Sequence, residues 1–292
     1  MNIKALALGI IITVCSGCST TQAITPTSVI SPPKGNIIKS EGMENLKSMV
    51  NISLPKGAKM LEPITPQGTP AIQVKDLQGD GIDEIVAVSY RVGDSENEVR
   101  IAIFRKEENK LIQIADVKGE GYTIDRLSFE DIDGDGQKEI LFGWKVGSMY
   151  NVLDVYKLQN KELKKLVSTE YSKLEVGNFK SNTSENKKVE FAIWMKDTGD
   201  SYKIDIFRWN GKNLIKAEDV YSDYFNKVVI PYYTEKVKEM PKAAFYWYYL
   251  GDAQIKAGQK KEALKSIEKG MSLNLEYPSK EEFLKLKKLA EN

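Results

Sequence analysis

The segment Asp131-Ile132-Asp133-Gly134-Asp135-Gly136-Gln137-Lys138-Glu139 sets carboxylates at its first, third, fifth and ninth positions. Alternate side chains in a tight loop converge on one point, and Gly136 permits the sharp turn this requires. A cluster of hard oxygens suits calcium, which takes about six to eight such ligands, backbone carbonyls among them. Gln137 stands where the carbonyl ligand belongs. A related segment runs Asp76-Leu77-Gln78-Gly79-Asp80-Gly81-Ile82-Asp83-Glu84. It keeps Asp76, Asp80 and Glu84, with Ile82 at the carbonyl position, but has neutral Gln78 in third place. A third segment, Asn178-Phe179-Lys180-Ser181-Asn182, has lost its acids and is expected to hold no ion. An EF-hand would place a Glu at the twelfth position. Ala87 and Phe142 stand there, so these are not EF-hands. Asp and Gly favour turns in any case, so a solvated surface turn is the alternative for each loop.

Loops of this kind need strands to hold their ends. After each loop comes an apolar strand: Ile85-Val86-Ala87-Val88, Ile140-Leu141-Phe142, and Phe191-Ala192-Ile193-Trp194. A turn follows at Gly93, Gly147 and Gly199. Next comes an alternating strand ending in an aromatic, at Phe104, Tyr156 and Phe207, and then a Leu, at Leu111, Leu163 and Leu214. The landmarks recur roughly every fifty residues, in units of several short strands, as propeller blades do.

On these residues the stretch from about 70 to 218 resembles the FG-GAP or VCBS repeats, the blades of integrin alpha-type propellers. The resemblance implies that each Asp-rich loop joins two strands of one blade, and that calcium ties the loop. Glu84 and Glu139 stand where that family usually carries Asp. Three blades are countable, whereas propellers typically close with about four to eight. The expected fold is therefore mainly β, then α: a partial or small β-propeller over residues 46–218, whose open edge something must cover. Residues 46–75, with Ile52, Leu54 and Met60, are expected to add strands.

Residues 219–292 read as helices. Apolar residues recur at helical spacing through Phe245, Tyr248, Leu250, Ala253 and Ala257, then through Ala263, Leu264, Ile267 and Met271. Gly258-Gln259 separates the two runs. Ser279 and Glu282 form a capping box that starts a further helix. An earlier helix is expected over about 224–240, with Pro231 as its kink or start. Trp247, Leu250, Gly251, Gly258, Ala263 and Ile267 resemble a tetratricopeptide repeat, with Gln254 and Gly270 departing from that pattern. The aromatic concentration from Tyr221 to Tyr249 is either a binding surface or packing between helices.

The chain has 292 residues, with Lys+Arg 42 against Asp+Glu 41 and no histidine. That balance points away from nucleic acid as a partner. The missing imidazole removes His-based nucleophilic and acid–base chemistry. Carboxylates such as Glu120, Glu130 and Glu190 remain, but nothing in the sequence pairs them for glycoside hydrolysis. Both cysteines, Cys15 and Cys18, lie near the N-terminus. There Lys4 precedes the apolar run Ala5–Val14, about ten residues long and too short to span a bilayer. Val14-Cys15-Ser16-Gly17-Cys18 resembles the lipobox of bacterial lipoproteins, in which the signal is cut before the Cys and the thiol is lipidated. An ordinary secretory signal cut elsewhere is the alternative.

The resulting plan is a signal peptide over 1–17, a lipid on Cys18, and a Ser/Pro-rich tether over 18–45, followed by the repeat domain 46–218 and the helical region 219–292. The function expected is that of a membrane-anchored, extracytoplasmic binding or scaffold lipoprotein. Its partner would be an unidentified protein or cell-wall polymer. A calcium-dependent adhesion or sensor module and a carboxylate-based hydrolase are the other readings.

Overall fold

Runs of alternating apolar residues become strands of antiparallel sheets, of which the described residues form three. In the computed structural model, the described residues are 40–292, apart from 80, 82–84, 94–97, 108–109, 161, 181–188 and 275. Cys15, Cys18 and the tether before residue 40 lie outside them. The first sheet holds β1 (Ala58–Met60), β2 (Ile72–Lys75), β3 (Ile85–Val92), β4 (Val99–Glu107) and β5 (Lys110–Lys118). Its order is β1-β3-β4-β5, with β2 sharing the β3 edge. The second sheet is β6 (Thr123–Glu130), β7 (Glu139–Lys145), β8 (Asn151–Gln159) and β9 (Glu162–Tyr171) in sequence order. The third is β10 (Lys173–Gly177), β11 (Glu190–Lys196), β12 (Tyr202–Trp209) and β13 (Leu214–Lys216), also in order. Each acidic or polar loop joins the β3, β7 or β11 strand to the strand before it.

The sheets are stacked face to face. Ile85, Ala87 and Ile101 of the first pack against Ile140, Phe142 and Trp144 of the second. Leu141, Leu153 and Val155 on the reverse of the second pack against Phe191, Ile193 and Trp209 of the third. Period-two alternation thus serves two apolar faces rather than one apolar and one wet face. Polar side chains tie the first strands together: Gln73 Nε2 donates to the Leu127 carbonyl and Arg126 Nη2 to the Leu174 carbonyl, both at 3.0 Å.

A stack of three leaves two apolar faces to be covered. One lies under helix α1 (Ser40–Ser53). Residues 46–54 were expected to be strand; Leu46, Val50 and Leu54 fall four apart and so on one helix face. They are buried against Val86, Val88, Tyr90 and Phe104. Ile52 lies off that face and is 85% exposed. Met60 is in a strand, β1, as expected. The other open face, with Ala192, Trp194, Ile204 and Ile206, is covered by the C-terminal helices.

Those helices begin with a short α2 (Tyr221–Tyr224), which runs through a π-helical turn (Phe225–Val229) into α3 (Ile230–Glu239). Pro231 lies in the first turn of α3, where its missing N–H is least needed. Then come α4 (Ala244–Lys256), α5 (Lys260–Ser272) and α6 (Lys280–Glu291). The capping box forms: Ser279 Oγ accepts from Glu282 N, and Glu282 Oε2 accepts from Ser279 N at 2.7 Å. Gly251 and Gly270 set how closely these helices approach. A Cβ on Gly251 would sit 2.8 Å from Ile267 Cγ1, and one on Gly270 would sit 2.5 Å from Phe283 Cε1.

The aromatic concentration has a packing role. Tyr221, Tyr224, Phe225, Tyr233 and Tyr246 are all buried. Tyrosine phenols from α3 and α4 grip the turn between β11 and β12. Tyr233 Oη accepts from Tyr202 N at 2.8 Å and donates to its carbonyl at 2.6 Å. Tyr232 donates to the Asp200 carbonyl at 2.5 Å, Tyr246 Oη accepts from Asp200 N, and Tyr249 donates to Asp197. Among the described residues, no helix is long and apolar enough to cross a membrane.

Candidate metal centre

The loop from Asp131 to Lys138 is built by its own backbone. Asp131 accepts from Gly134 N at 2.7 Å and from Gly136 N at 2.9 Å, one to each carboxylate oxygen. Asp133 accepts from Asp135 N and Asp135 from Gln137 N. Gly134 and Gly136 take positive φ, 79° and 90°, which lets the chain turn this sharply. Glu139, the first residue of β7, closes the loop: its Oε2 accepts from Ile132 N at 3.0 Å. Asp131, Asp133 and Glu139 each offer an oxygen within 4.8 Å of the others, a group that could hold a metal ion. Glu139 is fully buried and the two aspartates are half-buried. Asp135 and Gln137 lie at the exposed rim.

The sequence reading did not include Lys157, on β8 directly across from the start of β7. Its side chain is 9% exposed, and its Nζ lies 2.8 Å from Asp133, 2.7 Å from Asp135 and 2.9 Å from Glu139. Burial pushes the Glu139 carboxyl up, and Lys157 with the Ile132 N–H only partly offsets this. The hydrogen bond from Lys157 holds Asp135 below the usual carboxylate range. Burial works against the ammonium itself, but Asp133, Asp135 and Glu139 outweigh it and hold Lys157 above the ordinary lysine value. The converging oxygens of Asp131, Asp133 and Glu139 are of the hard, anionic kind that suits a divalent cation, and Lys157 pairs with two of these residues and with Asp135.

The third sheet repeats part of this arrangement without the acidic loop. Glu190, the first residue of β11, is fully buried; its Oε2 accepts from Phe179 N at 3.0 Å. Opposite it on β12, Arg208 donates to Glu190 Oε1 at 2.7 Å and reaches on to Asp219. That pairing commits Glu190, which the sequence left as a free carboxylate. Glu130 is held above the usual carboxylate range by burial, against the pull of Arg126, Lys138 and Lys75.

Register also corrects the alignment of the first loop. Glu130 pairs with Glu139 and Gly177 with Glu190, whereas Lys75 pairs with Ile85. The first loop is thus one residue longer, and Ile85, not Glu84, stands at the buried glutamate's place. Its cross-strand neighbour is Arg105, which turns to Glu107 at 2.7 Å. A cation therefore follows the landmark aromatic in every unit: Phe104-Arg105, Tyr156-Lys157, Phe207-Arg208. That dipeptide is the signal in the sequence that points to Lys157. In the first loop, Asp76 accepts from Gln78 N, Gly79 N and Gly81 N. Asp80, Ile82 and Glu84 lie outside the described residues. The two loops touch, Lys138 N donating to the Leu77 carbonyl at 2.8 Å. Beside them opens a groove of about 610 Å³ lined by Leu77, Ile85, Arg105, Asp135, Gln137 and Lys157 among others. The sequence matches no protein-family model and no curated protein.

Proposed function

We propose that the chain is a binding or scaffold lipoprotein held on the outer face of a membrane through Cys18, with its three sheets serving as FG-GAP-type blades in a short arc. The observation that carries this reading is the sealed stack. Both open sheet faces are covered by the chain's own helices, while the loop end, with its acidic segments and groove, is open to a partner. The helical region, with its tetratricopeptide-like pattern, acts as a cap on the third sheet. A protein or cell-wall polymer is the partner class. Calcium is the ion this reading assigns to the second loop, with Asp131, Asp133, Asp135, Gln137 and Glu139 as its ligands and a structural task. Function resides in sites rather than folds, so the test targets the anchor and the loop end.

Metabolic labelling with a fatty-acid analogue should mark the wild type and not Cys18→Ala. Crosslinking on intact cells should then recover a specific partner, and Asp135→Ala and Lys138→Ala together should reduce its yield. Labelling that survives Cys18→Ala removes the anchor from this reading. A partner whose recovery ignores the loop-end substitutions moves the binding surface elsewhere. The acidic group at the groove also supports a second reading, a calcium-dependent adhesion module, for which chelation should abolish capture.

A further inference from the structure

The strand-borne cation is the constant in the second and third sheets, and the acidic loop is the variable. Glu139 with Lys157 and Glu190 with Arg208 occupy matching cross-strand positions, and each glutamate accepts from the second residue of its loop. The third loop keeps this arrangement although its side chains offer no acidic set. The buried pair is thus common to two loops of very different sequence. In the second sheet the cation is the smaller lysine ammonium, and it reaches two further carboxylates, Asp133 and Asp135.

We propose that Lys157 is the built-in counter-cation of the second loop, so that the loop folds without metal and calcium enters only by displacing the ammonium. The inference rests on the calcium reading above and adds its regulation: Lys157 sets the affinity. The argument is geometric. Asp133 Oδ2, Asp135 Oδ2 and Glu139 Oε1 all lie within 2.9 Å of Nζ, and the first and last belong to residues of the group that could hold a metal. An ammonium and a divalent ion cannot share those oxygens at ligand distance, because their like charges repel strongly a few Å apart in a half-buried site. Lysine can leave, since its stem is a flexible chain of four carbons that reaches from β8 toward the open groove. Arg208 has no such alternative, as Glu190 and Asp219 hold its fork from two sides.

The experiment is a calcium chloride titration followed by calorimetry and by melting temperature, on the full chain without its first 17 residues, as wild type, Lys157→Met and Arg208→Met. Lys157→Met is expected to melt lower than wild type without calcium, to bind calcium at least about tenfold more tightly, and to regain its melting temperature as calcium is added. Arg208→Met is expected to melt lower with no calcium rescue. Adding Asp133→Asn to Lys157→Met should abolish the gain. If Lys157→Met is insoluble, Lys157→Gln supplies a neutral, shorter hydrogen-bond donor in its place, and recovery of soluble protein only in calcium counts in favour. Equal calcium affinity in wild type and Lys157→Met overturns the counter-cation role while leaving the calcium site standing. No calcium binding by either protein overturns both.

Discussion

The second and third loops solve one problem with different means. Both must join two neighbouring strands and close over a buried glutamate. The second does so with five residues between Asp131 and Gln137, acidic at every other place, each aspartate bonded to a backbone N–H within the loop. The third dispenses with those acids and still brings Phe179 N to Glu190. The difference teaches that the buried glutamate and its cross-strand cation are the part the two loops share. To that part the second loop adds a turn that its own aspartates build. A plain Glu at a strand start therefore understates its structural weight in a sequence.

The comparison can be broken most severely at the glutamates. Glu190→Ala leaves Arg208 with Asp219 alone, and removing one partner of a buried pair costs about 3–5 kcal/mol. Glu139→Ala is expected to cost less, because Lys157 keeps Asp133 and Asp135. Urea denaturation of the two variants decides it, and a larger loss for Glu139→Ala would reverse the ranking of the two loops. The next effect concerns matching positions on the middle strands. By register, Gly143 of the second sheet corresponds to Trp194 of the third. A Cβ on Gly143 would lie 2.3 Å from Tyr171 Oη and 2.8 Å from Arg126 Cβ. Gly143→Ala should thus cost about 1–3 kcal/mol by overpacking, read as a lowered denaturation midpoint. Trp194 instead packs beneath the helices and donates to Tyr224 Oη at 2.9 Å.

Smaller effects sharpen the contrast at the third sheet's outer face. Tyr221 donates to Asp205 at 3.0 Å, and Tyr221→Phe should lower stability by about 1 kcal/mol. Asp205 also supplies a pH signature. Burial pushes its carboxyl up, but Lys256, Tyr221 and Lys216 outweigh that and hold it below the usual carboxylate range. A depressed folded value means its contribution is present above the unfolded pKa of about 3.9 and is lost as pH falls through the folded value. Melting temperature followed from pH 5 downward should fall less steeply in Asp205→Asn than in wild type.

Much of this was legible. The strands β3, β4, β7, β8, β11 and β12 stand where alternation placed them, because their side chains meet a sheet or a helix on each face. The helices after residue 240 follow their spacing and the capping box. Three features were less visible. Helix α1 lay partly inside a polar stretch read as tether, and its face rests on only Leu46, Val50 and Leu54. The extra residue in the first loop cannot be seen without register, since Glu84 mimics the missing glutamate in sequence. Lys157 stands eighteen residues from Glu139, and only strand pairing brings them together. At the candidate site, the acids were read from their spacing, and the cation among them was not.

The covering of both outer faces has a consequence for how such a molecule is assembled. A ring fixes its number of units, because the last must meet the first. A stack with an initiator at one end and a terminator at the other has no such closure condition. Where each layer touches only its neighbours, a layer can be added or removed without straining the rest. The terminator then carries a second duty. Without residues 219–292, Trp194, Ile204 and Ile206 would form an uncovered apolar surface, of the kind that drives association.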